Sequence, residues 1–102
     1  MYSIVYTTTG NEADAKMIAS ELVKQKLAAC VNMHPVDSVY LWEGKIENER
    51  EIALSIKTMS NKVGEVTECI KKLHSYDLPA IISWEIKGEK QYLEWISEST
   101  EK

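Results

Sequence analysis

Cysteine and histidine side chains are the groups in this sequence with the strongest affinity for soft or borderline metal ions. Cys30 lies in the apolar stretch Leu27–Val31, where a thiol either packs as a small hydrophobic group or, as a thiolate, binds copper. His74 follows an amphipathic segment and could bind copper or zinc, or interact as a cation with a helix C-terminus. Because their spacing matches no metal-binding motif, Cys30 and His74 are candidate ligands only.

The other cysteine and histidine fit structural roles better. Cys69 recurs with Val66 and Leu73 on the apolar stripe of a predicted helix, which favours packing in the core. His34 precedes Pro35 in a predicted bend, where a solvated imidazole is the simpler interpretation. Two cysteines without a Cys-x-x-Cys pair indicate reduced thiols rather than a disulfide framework.

Glutamates are concentrated around a predicted hairpin turn. Glu43, Glu47, Glu49 and Glu51 either keep the hairpin tip soluble or bind hard cations weakly, since an oxygen-only site needs several converging carboxylates. The sequence has no Ser/His/Asp or Cys/His motif, no glycine-rich phosphate loop and no histidine-rich zinc pattern. An enzyme is therefore disfavoured.

Composition limits the classes of partner. A net charge of -4 and a pI near 5.2 give no basic field for nucleic acid or for an anionic membrane surface. The 102 residues form one predicted domain, 1–102, with a thin core and a hydrophobic fraction of 44%, which favours self-association. The sequence shows no basic-then-apolar leader, and its longest apolar run is far shorter than a membrane span, so we expect a cytoplasmic protein.

Periodicity predicts the elements that position these side chains. Tyr2–Thr9 is β-branched and aromatic, and Asn11 is an expected N-cap of the amphipathic helix that follows. A strand begins in the apolar stretch near residue 27, and Pro35 predicts a bulge or bend before alternation resumes. Glu43-Gly44 predicts a tight turn, after which a second strand returns.

The second half of the chain repeats the pattern. A second helix is expected with its cap at Ser60 or Asn61, followed by a strand over Ala80–Lys87 and a short C-terminal helix. The order β-α-β-β-α-β is that of the α+β ferredoxin-like sandwich, here with an additional C-terminal helix. Lys57 alternates with Ile56 and is predicted to point away from the face that Ile56 occupies.

Several segments together resemble the CutA divalent-cation tolerance family. They cover nearly the whole chain in family order and are Ala28-Ala29-Cys30-Val31-Asn32, the Tyr40, Trp42, Gly44 and Lys45 hairpin, Ile56-Lys57-Thr58, and the segment from His74 to Tyr76. The resemblance implies a PII-like homotrimer in which long hairpins pair with neighbouring subunits. It also implies tolerance of divalent metal ions, with copper binding described for some members and no obligatory cofactor.

Three residues depart from the family pattern. Gly10 and Ser75 stand where prolines are common, and Ala80 replaces a glutamate that many members carry after Pro79. The first two affect mainly the stiffness of turns. The third removes a carboxylate from the expected neighbourhood of His74. A ligand or metal pocket that used this carboxylate would therefore be altered in this chain.

Two functions remain after these observations. The first is a trimeric divalent-cation tolerance protein that binds copper or another divalent metal ion, with Cys30 and His74 as ligands. The alternative is a PII-like signalling or scaffolding trimer whose inter-subunit clefts bind a small anion or a partner segment. The cleft residues would then be Tyr40, Trp42, Lys57 and Tyr76, although aromatic rings of this kind usually pack in a core or interface and a strand lysine is usually solvated.

Overall fold

Seven main elements make up the structure, a computed structural model that describes residues 1–101. They are β1 (Tyr2–Thr9), α1 (Glu12–Lys24), β2 (Cys30–Trp42), β3 (Lys45–Met59), α2 (Val63–Leu73), β4 (Ile81–Ile86) and α3 (Lys90–Ser99). The strands form one antiparallel sheet in the order β2-β3-β1-β4. The α+β ferredoxin-like prediction with an extra C-terminal helix is therefore confirmed.

The core lies between one face of the sheet and helices α1 and α2. Val5 pairs with Ile56 and Thr7 pairs with Leu54, so these four side chains point to the same face, and all four are fully buried. The helices contribute the fully buried side chains of Ile18, Leu22, Val66 and Ile70. Each such aliphatic side chain contributes about 2 kcal/mol by its removal from water.

Helix α1 begins as its sequence predicts. The side-chain oxygen of Asn11 accepts a 2.8 Å hydrogen bond from the backbone N–H of Asp14, which satisfies a donor that the first helical turn leaves free. The expected cap of α2 was wrong, because Ser60–Lys62 forms a 3₁₀ turn and the helix starts at Val63 without a side-chain cap. The Ser60 hydroxyl instead bonds that of Ser3 at 2.7 Å.

Strands β2 and β3 form a long hairpin. Both turn residues have positive φ, 50° at Glu43 and 79° at Gly44, which is the requirement of a two-residue type I′ turn. Pro35 produces no break in the ladder, since it pairs with Ile52 within a continuous register from Cys30 to Trp42. The expected bulge is absent because β2 is an edge strand, where a residue without an N–H is tolerated.

The outer part of this hairpin carries apolar side chains that the other residues of 1–101 leave exposed. Leu41 is 70% exposed, Ile46 is 78% exposed and Trp42 is 44% exposed. The molecule measures 45 × 24 × 21 Å. No helix within residues 1–101 combines the length and the apolar character needed to cross a membrane.

Candidate functional site

Cys30 lies at the start of β2, on the sheet face opposite to α1 and α2. It pairs directly with Lys57 of β3, which in turn pairs with Ile4 of β1, so the three side chains share this second face. Lys57 therefore points away from the face of Ile56, as its alternation predicted. The register thus places one thiol and one ammonium group side by side.

The thiol of Cys30 has few contacts. Its side chain is half-buried, and its Sγ lies 3.9 Å from the amide oxygen of Asn32. The ammonium group of Lys57 is held elsewhere, because Nζ donates a 3.3 Å hydrogen bond to the hydroxyl of Tyr92 and lies 5.4 Å from the centre of that ring. Cys30 is therefore a free thiol that an incoming ion can reach.

His74 ends α2 and is 9% exposed. Its Nδ1 accepts a 3.0 Å hydrogen bond from the backbone N–H of Tyr76, so Nε2 carries the proton and donates to the carbonyl oxygen of Thr8 at 2.7 Å. The imidazole thereby joins the loop after α2 to the end of β1. A metal ion could bind His74 only by displacing one of these two hydrogen bonds.

The two candidate metal ligands lie apart in this chain. Cys30 aligns across the sheet with Ile4, whereas His74 bonds Thr8, which is four residues and about 13 Å further along β1. Within residues 1–101, no three histidine, cysteine, aspartate or glutamate side chains converge on a point suited to a metal ion. A complete metal site would need donors beyond those of one chain.

Three of the four predicted cleft residues do meet. Tyr40 and Trp42 of the hairpin and Tyr76 of the loop after α2 line one groove of about 770 Å³, which runs along the hairpin and which we call the hairpin groove. Lys57 does not line it, because it lies further along β3, against Tyr92. The groove therefore has aromatic walls without the lysine that was expected there.

Glu51 is buried in the wall of this groove, although the sequence predicted it only as one of four glutamates near the hairpin tip. It is only 5% exposed, and its Oε2 accepts a 2.8 Å hydrogen bond from the hydroxyl of Tyr76. Burial and the nearby carboxylate raise the pKa of Tyr76 well above its ordinary value, and burial together with Glu49 raises the pKa of Tyr40. One signal was available, because Glu47, Glu49 and Glu51 alternate along a strand and must share a face.

The three departures from the family pattern all lie near this groove. A Cβ at Gly10 would lie 3.1 Å from the hydroxyl oxygen of Tyr76, so the missing side chain makes room for that ring. Ser75 donates a 3.2 Å hydrogen bond to a carboxylate oxygen of Asp14, a bond that proline could not make. Ala80 lines the groove together with Tyr76.

The two remaining candidates occupy ordinary structural positions. Cys69 is half-buried and packs against the edge of the core, and burial raises the pKa of its thiol. His34 is exposed and pairs with Ala53 on the second face of the sheet. Both cysteines are free.

The family model and the related sequences that match this chain all belong to one family. The family model described as CutA1 divalent ion tolerance protein matches residues 3–99. The divalent-cation tolerance protein CutA of Archaeoglobus fulgidus is 43% identical over 102 residues, which cover 99% of this chain and all of that protein. The chloroplastic protein CutA 1 of Oryza sativa is 43% identical over 99 residues, which are 95% of this chain and 56% of that longer protein.

The fold agrees with the sequence comparison. The solved structure of the periplasmic divalent cation tolerance protein CutA from Archaeoglobus fulgidus superposes with a TM-score of 0.97 at 43% identity, over 99% of this chain and all of the other. The mixed α+β fold of this chain is thus that of a class of proteins with solved structures. The chain belongs to the CutA family.

Proposed function

We propose that this protein is a homotrimeric divalent-cation tolerance protein that binds copper or another divalent metal ion through Cys30. The names of its relatives describe tolerance of divalent cations rather than a reaction, which supports a binding protein over an enzyme. The observation that carries the metal proposal is the half-buried Cys30 thiol, whose one close polar contact within residues 1–101 is a 3.9 Å approach to Asn32. A thiolate is a preferred ligand of copper.

One thiol cannot complete a metal site. Since no three suitable side chains converge within residues 1–101, the proposal takes the remaining donors from neighbouring subunits. His74 is the second ligand of the proposal, and it binds only after Nδ1 releases the backbone N–H of Tyr76. Cys30 therefore has the larger role, because its coordination breaks no strong hydrogen bond.

The trimer is supported by the hairpin. Strand β2 is a 13-residue edge strand with unpaired backbone groups on its outer side, and Leu41, Trp42 and Ile46 near the tip expose large apolar areas. Long edge strands with exposed apolar side chains pair with further strands. Pairing with neighbouring chains would cover both the edge and the apolar tip.

Two measurements test this proposal on the purified reduced protein. Sedimentation equilibrium at micromolar concentration should give three times the chain mass of 11.6 kDa, and a single-chain mass would contradict the trimer. Copper titration under reducing conditions should give saturable binding. Binding of metal to a thiol releases a proton, so the affinity should increase with pH.

The alternative function, a trimer that binds a small ligand, is favoured by one separate observation. Tyr40, Trp42 and Tyr76 come together in the hairpin groove, whose volume of about 770 Å³ is of the size that small-molecule sites have. A thermal-shift screen with metabolites separates this function from the first, since a ligand that binds the native state raises the melting temperature by mass action.

Both functions place the protein in the cytoplasm, where cysteines stay reduced, and both cysteines of this chain are free thiols.

A further inference from the structure

Lys57 is the charged residue directly beside Cys30, and the proposed metal site gives it no role. The two residues are opposite each other in the register of β2 and β3, on the sheet face away from α1 and α2. The Cβ atoms of such a pair are about 5 Å apart. Both residues lie at the end of the hairpin away from the turn at Glu43-Gly44, so they are remote from the exposed apolar tip that assembly would cover.

The ammonium group of Lys57 is held in place but not neutralised. Nζ donates its 3.3 Å hydrogen bond to the hydroxyl of Tyr92 and lies 5.4 Å from the centre of that ring. A neutral hydroxyl and an aromatic face both attract an ammonium group without cancelling its charge. No ion pair within residues 1–101 includes Lys57. The thiol of Cys30 therefore has an uncompensated positive charge as its neighbour.

A positive charge beside the thiol opposes metal ions in proportion to their own charge. By Coulomb's law, a divalent ion at a given position is repelled twice as strongly as a monovalent ion. Salt screens such interactions over a Debye length of about 8 Å, and Cys30 and Lys57 are both half-buried, so the repulsion reaches an ion bound at Sγ. The pair therefore favours a monovalent ion over a divalent one.

The supply of ligands near Cys30 favours the same kind of ion. Within residues 1–101, no three histidine, cysteine, aspartate or glutamate side chains converge on one point. Structural zinc sites are almost always four-coordinate, and hard divalent ions need several oxygen ligands. Copper(I) is the soft monovalent ion that thiolates select, and it needs fewer ligands. The charge of Lys57 and the shortage of ligands thus both favour copper(I).

We propose that Cys30 binds copper as copper(I), and that Lys57 sets this specificity by repelling divalent ions. Lys57 donates no ligand to the ion and acts through its charge alone. The contact with Tyr92 keeps the ammonium group on the side of α3, where it leaves the sulfur free to coordinate.

This inference rests on the proposed metal binding at Cys30, for which it names the oxidation state of the ion and a residue that determines specificity. A carboxylate from a neighbouring subunit would neutralise Lys57 and remove the selectivity. The two cases differ in whether loss of the Lys57 charge changes the relative affinities of a monovalent and a divalent ion.

Anaerobic titrations of the reduced, assembled protein with copper(I), supplied as its bicinchoninate complex, and with zinc chloride test the proposal. Both ions have a filled d shell and no geometric preference from d electrons, so they differ mainly in charge. We expect copper(I) to bind wild type more tightly than zinc. Lys57→Gln should raise the zinc affinity more than the copper(I) affinity, so that the ratio of copper(I) to zinc affinity falls by about threefold to tenfold.

Two variants are matched controls, each checked by a melting curve. Lys57→Arg keeps the charge and should keep the wild-type ratio. Lys72→Gln removes an exposed charge from α2, on the other side of the sheet, and should also leave the ratio unchanged.

The outcomes separate the two proposals. An unchanged or higher ratio in Lys57→Gln, or zinc binding to wild type as tight as that of copper(I), would overturn the role of Lys57 and leave Cys30 as a metal ligand. A copper(I) affinity that Cys30→Ser leaves unaltered would overturn the metal site itself, and the specificity with it.

Discussion

The hydroxyl of Tyr76 donates a 2.8 Å hydrogen bond to Oε2 of Glu51, and this bond joins the loop after α2 to the middle of β3. The two residues are separated by 25 positions in the chain, and the carboxylate is almost completely buried. His74, two residues before Tyr76, holds the same loop to β1 through Thr8. The wall of the hairpin groove is therefore fixed by two side-chain bonds.

Tyr76→Phe tests the energy of this contact. Loss of the hydroxyl leaves the buried Glu51 without its donor, so we expect the free energy of unfolding to fall by about 1–3 kcal/mol. Urea unfolding at fixed protein concentration measures it. Tyr92→Phe is the matched control, because the hydroxyl of Tyr92 accepts an exposed hydrogen bond from Lys57. This substitution should lower the free energy of unfolding by less than about 0.5 kcal/mol. Equal costs in both variants would show that burial of Glu51 is unimportant.

Stability should also depend on alkaline pH through the same residue. A tyrosine with a raised folded-state pKa binds its proton more tightly when folded, so its stabilising effect is complete below the ordinary value of 10.0. That stability is lost as pH rises from 10.0 through the higher folded-state pKa. Urea midpoints between about pH 9 and about pH 11 should fall more steeply for wild type than for Tyr76→Phe. Parallel curves would contradict the assignment.

Gly10→Ala tests how closely Tyr76 approaches the turn after β1. The new Cβ would lie 3.1 Å from the hydroxyl oxygen that bonds Glu51, which is tighter than an ordinary contact, so the ring must move by a few tenths of an ångström. We expect a loss of about 1 kcal/mol in the free energy of unfolding. In a Tyr76→Phe background the crowded oxygen is gone, and the substitution should be neutral or slightly stabilising. Additive effects in this double-mutant cycle would show that the two residues do not interact.

Trp42→Ala tests the role of the hairpin in assembly. Trp42 is 44% exposed in a single chain, so the trimer proposal assigns much of its energy to contacts with a neighbour. We expect assembly to weaken by about 3 kcal/mol per chain, measured as a concentration-dependent fall in mass by sedimentation. Val23→Ala, which alters a side chain of similar exposure on α1, should leave the mass unchanged. An unchanged mass for Trp42→Ala would place that residue outside the interface.

Local signals made much of the fold predictable from the sequence. The β-branched and aromatic strand Tyr2–Thr9, the Asn11 cap and the Glu43-Gly44 turn each depend on a few neighbouring residues, and the structure contains all three. The two errors in the predicted fold, the cap of α2 and the bulge at Pro35, arise from contacts with distant parts of the chain. Ser60 does not cap α2 because its hydroxyl bonds Ser3, which is 57 positions away. Pro35 leaves the ladder intact because β2 turned out to be an edge strand.

The candidate site was less predictable, since its contacts join distant parts of the chain. Cys30 could be selected by residue type alone, but its exposure depends on the pairing of β2 with β3. The hydroxyl that bonds the buried Glu51 comes from Tyr76, and no local pattern links residues 25 positions apart. Lys57 was correctly placed on its face by alternation, yet α3 supplies the Tyr92 that holds it away from the groove.

Copper-binding isotherms of Cys30→Ser and Cys69→Ser, each paired with a melting curve, test the central claim most directly. Since Cys30 is an accessible thiol and Cys69 packs against the core, Cys30→Ser should sharply reduce copper affinity with little change in melting temperature. Cys69→Ser should instead lower the melting temperature and leave copper uptake per folded chain unchanged. His74→Ala, in the same series, should lower the melting temperature because the loop loses its bond to Thr8, and should weaken copper binding because the proposal makes Nδ1 a ligand. An unaltered isotherm for Cys30→Ser would contradict the proposed metal-binding function.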